Sequence, residues 1–327
     1  YKRQLELFMA ALKKYTKYIR FFIEPFLFPF LYTYYLFSKK NTSFGYQAYV
    51  TTYCITSGLI SQLLSFLISL ANKISLKNKK PNQESIDISN QLKKEGYFIF
   101  EKKIEEDLLL GLTNITKKLK CNYSVFDVNS PKVIFNEKIH LEPSYRYDSL
   151  ELINEKAVQN VIQFVMNLNI ADTYFNSKSY LHDLNMWWST VSEKSDTHSA
   201  QEFHFDCDSI KWVKYFIYLT DVSLESGPHV YVEGSHKPLS KPTSFLSRGY
   251  ARIKDEEIEN HFGKEKIHEI IGNKGTLVVG DTSCYHKGLV PKKSSRLIFE
   301  ITLSNSLFGG PEILNYNQIF SDLKNKV

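Results

Sequence analysis

Three residues have the types and spacing to bind a redox-active metal: His204, Asp206 and His286. One residue separates His204 from Asp206, so in an extended strand both side chains point to the same side. His286 follows the β-branched run 274–280, which ends in a Gly-Asp turn signal. Two imidazoles and one carboxylate form the donor set that binds non-haem Fe(II) on one face and leaves the opposite positions open. The spacing therefore predicts an iron centre for oxygen chemistry.

A second candidate strand, 296–302, begins with Arg296, ten residues beyond His286. Alternation in that strand predicts an inward side chain for Arg296, together with Ile298 and Glu300. A planar guanidinium can bind a carboxylate through two parallel hydrogen bonds. An inward arginine in the same pocket as the metal therefore predicts a dicarboxylate cosubstrate.

The motifs around these four residues complete a family pattern. They are the segments 92–100, 218–222, 227–228 and 233–236. With the histidines, the aspartate and the arginine, they resemble the phytanoyl-CoA dioxygenase family of Fe(II)- and 2-oxoglutarate-dependent oxygenases. The resemblance runs from about residue 86 to the C-terminus and does not extend to residues 1–80.

The resemblance implies a reaction and a set of roles. His204, Asp206 and His286 would bind Fe(II), and Arg296 would bind the far carboxylate of 2-oxoglutarate. O2 would convert the cosubstrate to succinate and CO2 while an unactivated C–H bond of a small-molecule, lipid-linked or glycan-linked substrate is hydroxylated. Two rival interpretations are a jelly-roll that binds a glycan or lipid without turnover and a cupin-like enzyme independent of 2-oxoglutarate. The complete metal set and Arg296 argue against both.

Five further residues are candidates for the pocket, and none is expected to be catalytic beyond the metal ligands. Lys214 and Tyr218 share one face of the strand 212–220, where either could reach a carboxylate of cosubstrate or substrate. If the other face is interior, Lys214 is solvated. Asn185 is a candidate cosubstrate contact, and Trp187 is either a substrate contact or an ordinary core aromatic. Asp208 continues the parity of the metal motif, which predicts a role in positioning substrate or a ligand, with a solvated carboxylate as the alternative.

Composition restricts the classes of partner. The net charge of +6 is a mild excess over 327 residues without long basic runs, so nucleic acid is not an expected partner, although a basic rim would suit an anionic substrate. The four cysteines, Cys54, Cys121, Cys207 and Cys284, show no C-x-x-C spacing, which argues against a disulfide scaffold and structural zinc. A reducing, cytoplasmic location is expected, with membrane association through the N-terminal segment as an open alternative.

The N-terminal segment allows two interpretations. Residues 41–72 contain no charged residue, His or Pro and are long enough to cross a bilayer as a helix. Serines recur at every fourth position, Ser57, Ser61, Ser65 and Ser69, opposite leucines. This polar side favours helices whose Leu, Ile and Phe face is buried on the barrel or on a second subunit. The alternative is a membrane-contacting anchor.

The chain divides near residue 82, where the polar, Pro-containing stretch 77–85 predicts a linker. Residues 1–82 are then a helical segment for packing, dimerisation or membrane contact, and residues 83–327 are the dioxygenase domain. Helical spacing covers 86–94, 105–119 and 149–168, and short strands follow from Tyr180. The predicted fold is mainly β with flanking helices: a double-stranded β-helix, of the jelly-roll or cupin-like kind, plus the N-terminal helical segment.

Overall fold

A computed structural model describes residues 2–72, 81–122, 132–139, 142–191, 201–249 and 251–309. The helices in these ranges are α1 Lys2–Ser38, α2 Ser43–Ile55, α3 Leu59–Asn72, α4 Gln83–Glu95, α5 Glu106–Lys118, α6 Ser149–Ile153, α7 Lys156–Asn167, α8 Ile170–Phe175, α9 Thr243–Leu246 and α10 Asp255–Phe262. The strands are β1 Tyr97–Ile99, β2 Cys121–Asn122, β3 Ser144–Tyr147, β4 Tyr180–Ser189, β5 Trp212–Tyr218, β6 His229–Val232, β7 Ile267–Ile270, β8 Leu277–Gly280, β9 His286–Gly288 and β10 Arg296–Ser304.

Two antiparallel sheets form the core. The larger has the strand order β1-β8-β5-β10-β4-β3-β2, and the smaller has the order β7-β6-β9. Apolar side chains from the two sheets meet in one buried cluster: Phe216 and Ile298 come from the larger sheet, and Tyr231 and Ile270 come from the smaller. The predicted double-stranded β-helix with flanking helices is therefore confirmed.

Helices cover the side of the larger sheet that points away from the smaller sheet. Alternation in β5 turns Tyr215 and Ile217 outward, where they join a cluster with Leu92 of α4 and Val158 of α7. The predicted helix 149–168 is two helices, because α6 ends at Ile153 and α7 starts at Lys156. This packing leaves the inner face of the sheet free for the cavity.

The turn from α4 into β1 requires glycine. Gly96 has φ of 94°, in the left-handed region where other residues are strained, and its N–H donates to the carbonyl of Leu92 at 2.9 Å. A Cβ on Gly96 would also collide with the sulfur of Cys284. Because of this close approach, the turn before β1 packs directly against the loop before β9.

The N-terminal helices pack on the barrel behind the metal motif. Phe205, between His204 and Asp206, stacks on Tyr53 of α2 with ring centroids 5.6 Å apart. The hydroxyl of Tyr49 donates to the carbonyl of Ser209 at 3.0 Å. Helix α2 therefore supports the segment that carries two predicted metal ligands. The strand expected for this segment is not among the described strands, since Phe203 and His204 form only isolated bridges. The domain boundary near residue 82 stays a prediction, since residues 73–80 of the linker lie outside the described residues.

The orientation of α3 is the reverse of the expected one. The hydroxyl of Ser61 donates to the carbonyl of Ile210, and that of Ser65 accepts from the side-chain amide of Asn305 at 2.9 Å. Leu63 and Leu67 are exposed instead. The leucines expected on the buried side, Leu59, Leu63, Leu67 and Leu70, are thus exposed, and the serines satisfy polar groups at the barrel surface. Helix α3 nevertheless packs on the barrel through Leu64, which is buried in the same cluster as Phe205 and Phe308.

Within the described ranges, no single helix is both long and apolar enough to cross a bilayer, whereas α2 and α3 taken together, bent by 115°, meet the requirement.

Candidate metal centre

The smaller sheet brings the three predicted metal ligands together. His204 and His286 are paired across an antiparallel bridge, in which the N–H of each donates to the carbonyl of the other at 3.0 and 2.8 Å. The N–H of Asp206 donates to the carbonyl of Thr282 at 2.7 Å. One potential ligand atom from each of the three side chains lies within 4.8 Å of the other two. Backbone pairing thus builds the cluster from residues eighty positions apart.

Both imidazoles are oriented with one nitrogen toward the centre of the cluster. Nδ1 of His204 lies 3.0 Å from the carbonyl of Glu202, and Nδ1 of His286 lies 3.0 Å from the carbonyl of Cys284. A carbonyl only accepts, so Nδ1 carries the proton in each ring and Nε2 keeps its lone pair. The two Nε2 atoms lie 3.8 and 3.6 Å from the carboxylate oxygens of Asp206. This is the orientation that metal-binding histidines adopt.

The protonation states also suit a metal. Burial lowers the pKa of His204 to about 3 and lowers that of His286, so both rings are neutral at pH 7. Burial alone would raise the pKa of Asp206, but the Lys214 ammonium and the two imidazoles outweigh it and lower the pKa. Two neutral imidazoles and one carboxylate are the forms that coordinate Fe(II). The residues therefore fit the metal implied by the sequence.

Lys214 lies inside the site rather than in solvent. Its Nζ is 2.9 Å from a carboxylate oxygen of Asp206, 2.9 Å from one of Asp208 and 3.7 Å from one of Glu300. Burial, together with the negative charge of Asp206, raises the pKa of Asp208 to about 6 even though Lys214 opposes this. Lys214 is thus already matched by three acidic groups, one of which is a predicted metal ligand.

A cavity of about 260 Å³ opens onto the three ligands. Its other walls come mainly from the inward faces of β4, β5, β6 and β10. The residues whose side chains define its chemistry are Asn185, Trp187, Lys214, Phe216, His229, Arg296 and Glu300. The two sheets therefore have different tasks: the smaller holds the ligand cluster, and the larger supplies most of the charged and aromatic wall.

Arg296 is buried in this cavity without an acidic partner. Only 3% of the residue is exposed, Nη1 donates to the carbonyl of Gly227, and Nη2 lies 3.4 Å from the hydroxyl of Ser189. Nε has no hydrogen-bond partner, and no described carboxylate forms an ion pair with the guanidinium. Burial lowers the pKa of Arg296 to about 10, so it remains cationic at pH 7. A buried, unmatched guanidinium is a site for an anion.

The other sequence candidates divide into two groups. Asn185 and Trp187 line the cavity, and the Asn185 amide donates to Glu300 at 3.2 Å. Tyr218 does not line it: its hydroxyl donates to the carbonyl of Ile270 at 2.7 Å in the core between the sheets. The contact expected between Tyr218 and a cosubstrate carboxylate therefore has no support in its position.

Sequence reasoning missed one residue that lines the cavity and one whose pKa responds to the charges of the metal motif. His229 lines the cavity, with its ring centroid 4.6 Å from that of Phe216. Alternation in β6 could have indicated this, because His229 and Tyr231 share the inward face. Tyr46, on α2, is the other: burial raises its pKa, and the charges of Asp208 and Asp206 add to the rise. No sequence signal connects the N-terminal segment to the metal motif.

Comparisons with known proteins give only distant likenesses. No family model and no curated protein matches the chain. Among solved structures, it is similar to HygX from Streptomyces hygroscopicus with nickel, 2-oxoglutarate and hygromycin B bound, at 14% identity and a TM-score of 0.44, covering 70% of this chain and 89% of that chain. It is also similar to EctD from S. alaskensis in its apoform, at 14% identity and a TM-score of 0.47, covering 69% and 79%.

A third likeness is to SnoK, a non-haem α-ketoglutarate-dependent carbocyclase from nogalamycin biosynthesis, at 11% identity and a TM-score of 0.47, covering 69% of this chain and 87% of that chain. With identities and TM-scores this low, the likenesses carry no argument about what this chain binds or does. The metal centre rests on its own residues.

Proposed function

We propose that this chain is an Fe(II)- and 2-oxoglutarate-dependent oxygenase of the kind found in the phytanoyl-CoA dioxygenase family. It hydroxylates an unactivated C–H bond of a small-molecule, lipid-linked or glycan-linked substrate. One oxygen atom of O2 enters the product alcohol and the other enters succinate, with release of CO2. The observation that carries the proposal is the shared cavity: it contains a complete His-Asp-His set and a buried guanidinium without an acidic partner.

Each residue has a defined task in this reaction. Nε2 of His204, Nε2 of His286 and the Asp206 carboxylate hold Fe(II), which when bound supplies the oxygen-activating chemistry. Arg296 receives the far carboxylate of 2-oxoglutarate, which gives the guanidinium the anion it lacks. Lys214 keeps Asp206 ionised and fixed at 2.9 Å.

The remaining wall residues confine the substrate. Trp187, Phe216 and His229 form the aromatic part of the cavity, and Asn185 is the candidate for a polar contact with the cosubstrate. Asp208 does not line the cavity and acts through Lys214, whose Nζ lies 2.9 Å from its carboxylate. The four cysteines are buried and unpaired, which suits the reducing cytoplasm in which Fe(II) persists.

The proposal is tested by metal binding and by succinate release. The parent chain should bind stoichiometric Fe(II) under anaerobic conditions and release succinate from 2-oxoglutarate in air, with stimulation by the true substrate in a screen of lipids, sugar conjugates and small metabolites. His204→Ala should abolish both tight Fe(II) binding and succinate release while keeping the thermal midpoint of the apo protein. His261→Ala, outside the cavity, is the matched control.

Two outcomes would contradict the proposal. His204→Ala with stoichiometric iron and undiminished succinate release would remove the metal assignment. A parent chain that binds glycans or lipids but neither Fe(II) nor 2-oxoglutarate would instead be a non-catalytic jelly-roll module.

A further inference from the structure

The helices α1 and α3 expose an unusual amount of apolar side chain. Phe26, Phe30 and Phe37 on α1 are 77%, 75% and 87% exposed, and Leu63 and Phe66 on α3 are 54% and 58% exposed. These five residues, together with Phe22, are called the outer face here. Exposed apolar surface of this extent marks a site that is covered by a partner or a membrane.

The outer face cannot turn inward, because the opposite side of each helix is fixed to the barrel. On α1, Phe28, Tyr32 and Tyr35 pack around Phe308. On α3, hydrogen bonds from the serine side, described above, hold the helix to the barrel. On α3 the serine side faces protein and Leu63, Phe66 and Leu67 face outward, although Leu64 is buried. On α1 both sides are apolar: the inward one packs on the barrel and the outward one is exposed.

Within residues 25–72, which contain most of the outer face, the charges have one sign. Residues 25–72 contain Lys39 and Lys40 but no Asp or Glu. The acid just before them, Glu24, is buried and accepts a hydrogen bond from Thr51. Exposed aromatic rings followed by lysines are the composition of a segment that lies at a membrane–water interface.

More positive charge lies beside α3. Phe66 borders a cavity of about 420 Å³ that is also lined by Lys93, Lys211 and Lys237. Lys211 is paired with Asp281 at 2.9 Å, whereas the other two lysines are exposed. The polar edge next to the apolar rings is therefore basic, as an anionic headgroup layer would require.

Charge decides between a membrane and a second copy of the chain. In a symmetric dimer the same patch meets itself, so Lys39 and Lys40 of one copy would approach those of the other, and residues 25–72 contain no Asp or Glu to offset them. Anionic lipid headgroups neutralise the same lysines while the rings enter the apolar layer. We propose that the outer face docks the protein on an anionic bilayer surface, with the barrel held behind the helices.

The test is flotation of the 327-residue chain with vesicles. The chain should float with phosphatidylcholine vesicles that contain phosphatidylglycerol, and less with pure phosphatidylcholine. The triple variant Phe26→Ser, Phe30→Ser, Phe66→Ser should lower the partition coefficient at least tenfold. Lys39→Gln with Lys40→Gln should lower it about fivefold per lysine on the anionic vesicles only.

A matched control distinguishes binding through this surface from nonspecific adsorption through any exposed apolar side chain. Leu110, Leu224 and Ile271 are 51%, 55% and 53% exposed but lie outside the N-terminal helices, so replacing all three with Ser should leave flotation unchanged. Sedimentation equilibrium of each variant supplies the rival outcome. A chain that does not float, or a dimer that the triple variant converts to monomers without any vesicle binding in the parent, would overturn the proposal. Neither measurement uses turnover, so the result is independent of the oxygenase assignment.

Discussion

The two buried cations of the cavity differ in how their charge is matched. Lys214 faces Asp206, Asp208 and Glu300, so its charge is more than balanced. Arg296 has only neutral oxygen partners among the described residues. Lys214 therefore contributes little to the binding free energy of an incoming dicarboxylate, and Arg296 contributes much. The sequence alone offered both residues as candidates, and only the ion pairs rank them.

This ranking predicts the effect of Arg296→Lys. Lysine keeps the positive charge but loses the planar pair of donors, so the affinity for 2-oxoglutarate should fall by about 1–3 kcal/mol. Anaerobic equilibrium dialysis with Fe(II) present measures that affinity. Fe(II) affinity without 2-oxoglutarate should scarcely change, because Arg296 contacts none of the three ligands.

Ser189→Ala is the control for this measurement, since it removes only the distant 3.4 Å contact to the guanidinium. Its 2-oxoglutarate affinity should stay within a factor of a few of the parent's. If Arg296→Lys binds 2-oxoglutarate as the parent does, a different residue holds that carboxylate.

The residues that sequence reasoning could place are those governed by local alternation. His204 and Asp206 were expected to share a face because they are two apart, and Arg296 and Glu300 share one because they are four apart in one strand. Tyr218 obeys the same parity, yet its hydroxyl is taken by Ile270 on the facing sheet. Tyr46 depends on how α2 docks. The surroundings of both tyrosines depend on contacts between elements far apart in the sequence, which alternation within one strand cannot predict.

At the scale of elements, α3 shows what an amphipathic pattern leaves open. The alternation of serines and leucines specifies two faces but not which of them meets protein. The inward side of α3 combines two kinds of contact: Ser61 and Ser65 satisfy polar groups of Ile210 and Asn305, and Leu64 is buried. Strand positions were easier to predict, since β-branched runs and turn signals bound each strand.

The reversed helix gives a paired stability test. Ser61 is 8% exposed, so Ser61→Leu adds volume to a packed contact and removes a hydrogen bond, which should lower the free energy of unfolding by about 2–4 kcal/mol. Leu63→Ser, on the outer face, should change it by less than about 0.5 kcal/mol. Urea unfolding measures both, and the opposite ranking would show that the leucine face is the buried one.

At the scale of the whole molecule, buried histidines make stability depend on pH. Burial lowers the pKa of five of them in the folded chain: His182, His204, His229, His236 and His286. For His182 and His236 the folded pKa is about 4, against an ordinary value near 6.5 in the unfolded chain. Between these values the unfolded state binds more protons, so stability is lost as the pH falls.

His236 is the histidine to test, because it is not a predicted metal ligand and does not line the cavity that opens onto those ligands. Its Nε2 lies 3.2 Å from the carbonyl of Lys93, and its Nδ1 lies 3.4 Å from the sulfur of Cys284. Glutamine offers a hydrogen-bond donor and an acceptor at the same position but has no group that ionises in this pH range, so His236→Gln removes the titrating imidazole. Below pH 6.5 each such histidine costs about 1.4 kcal/mol per pH unit, so the variant should lose about 2 kcal/mol less than the parent between pH 7 and pH 5.

The comparison of variant with parent is essential, since other groups titrate in the same window. The pKa of Asp208 is raised to about 6, so its protonation favours the folded state as the pH falls and partly masks the histidines. That contribution is common to both proteins and cancels in the difference. Urea unfolding of the metal-free proteins at pH 7, 6 and 5 measures the difference in the free energy of unfolding between parent and variant. Parallel pH profiles for parent and His236→Gln would mean that His236 is protonated in the folded chain as readily as in the unfolded one.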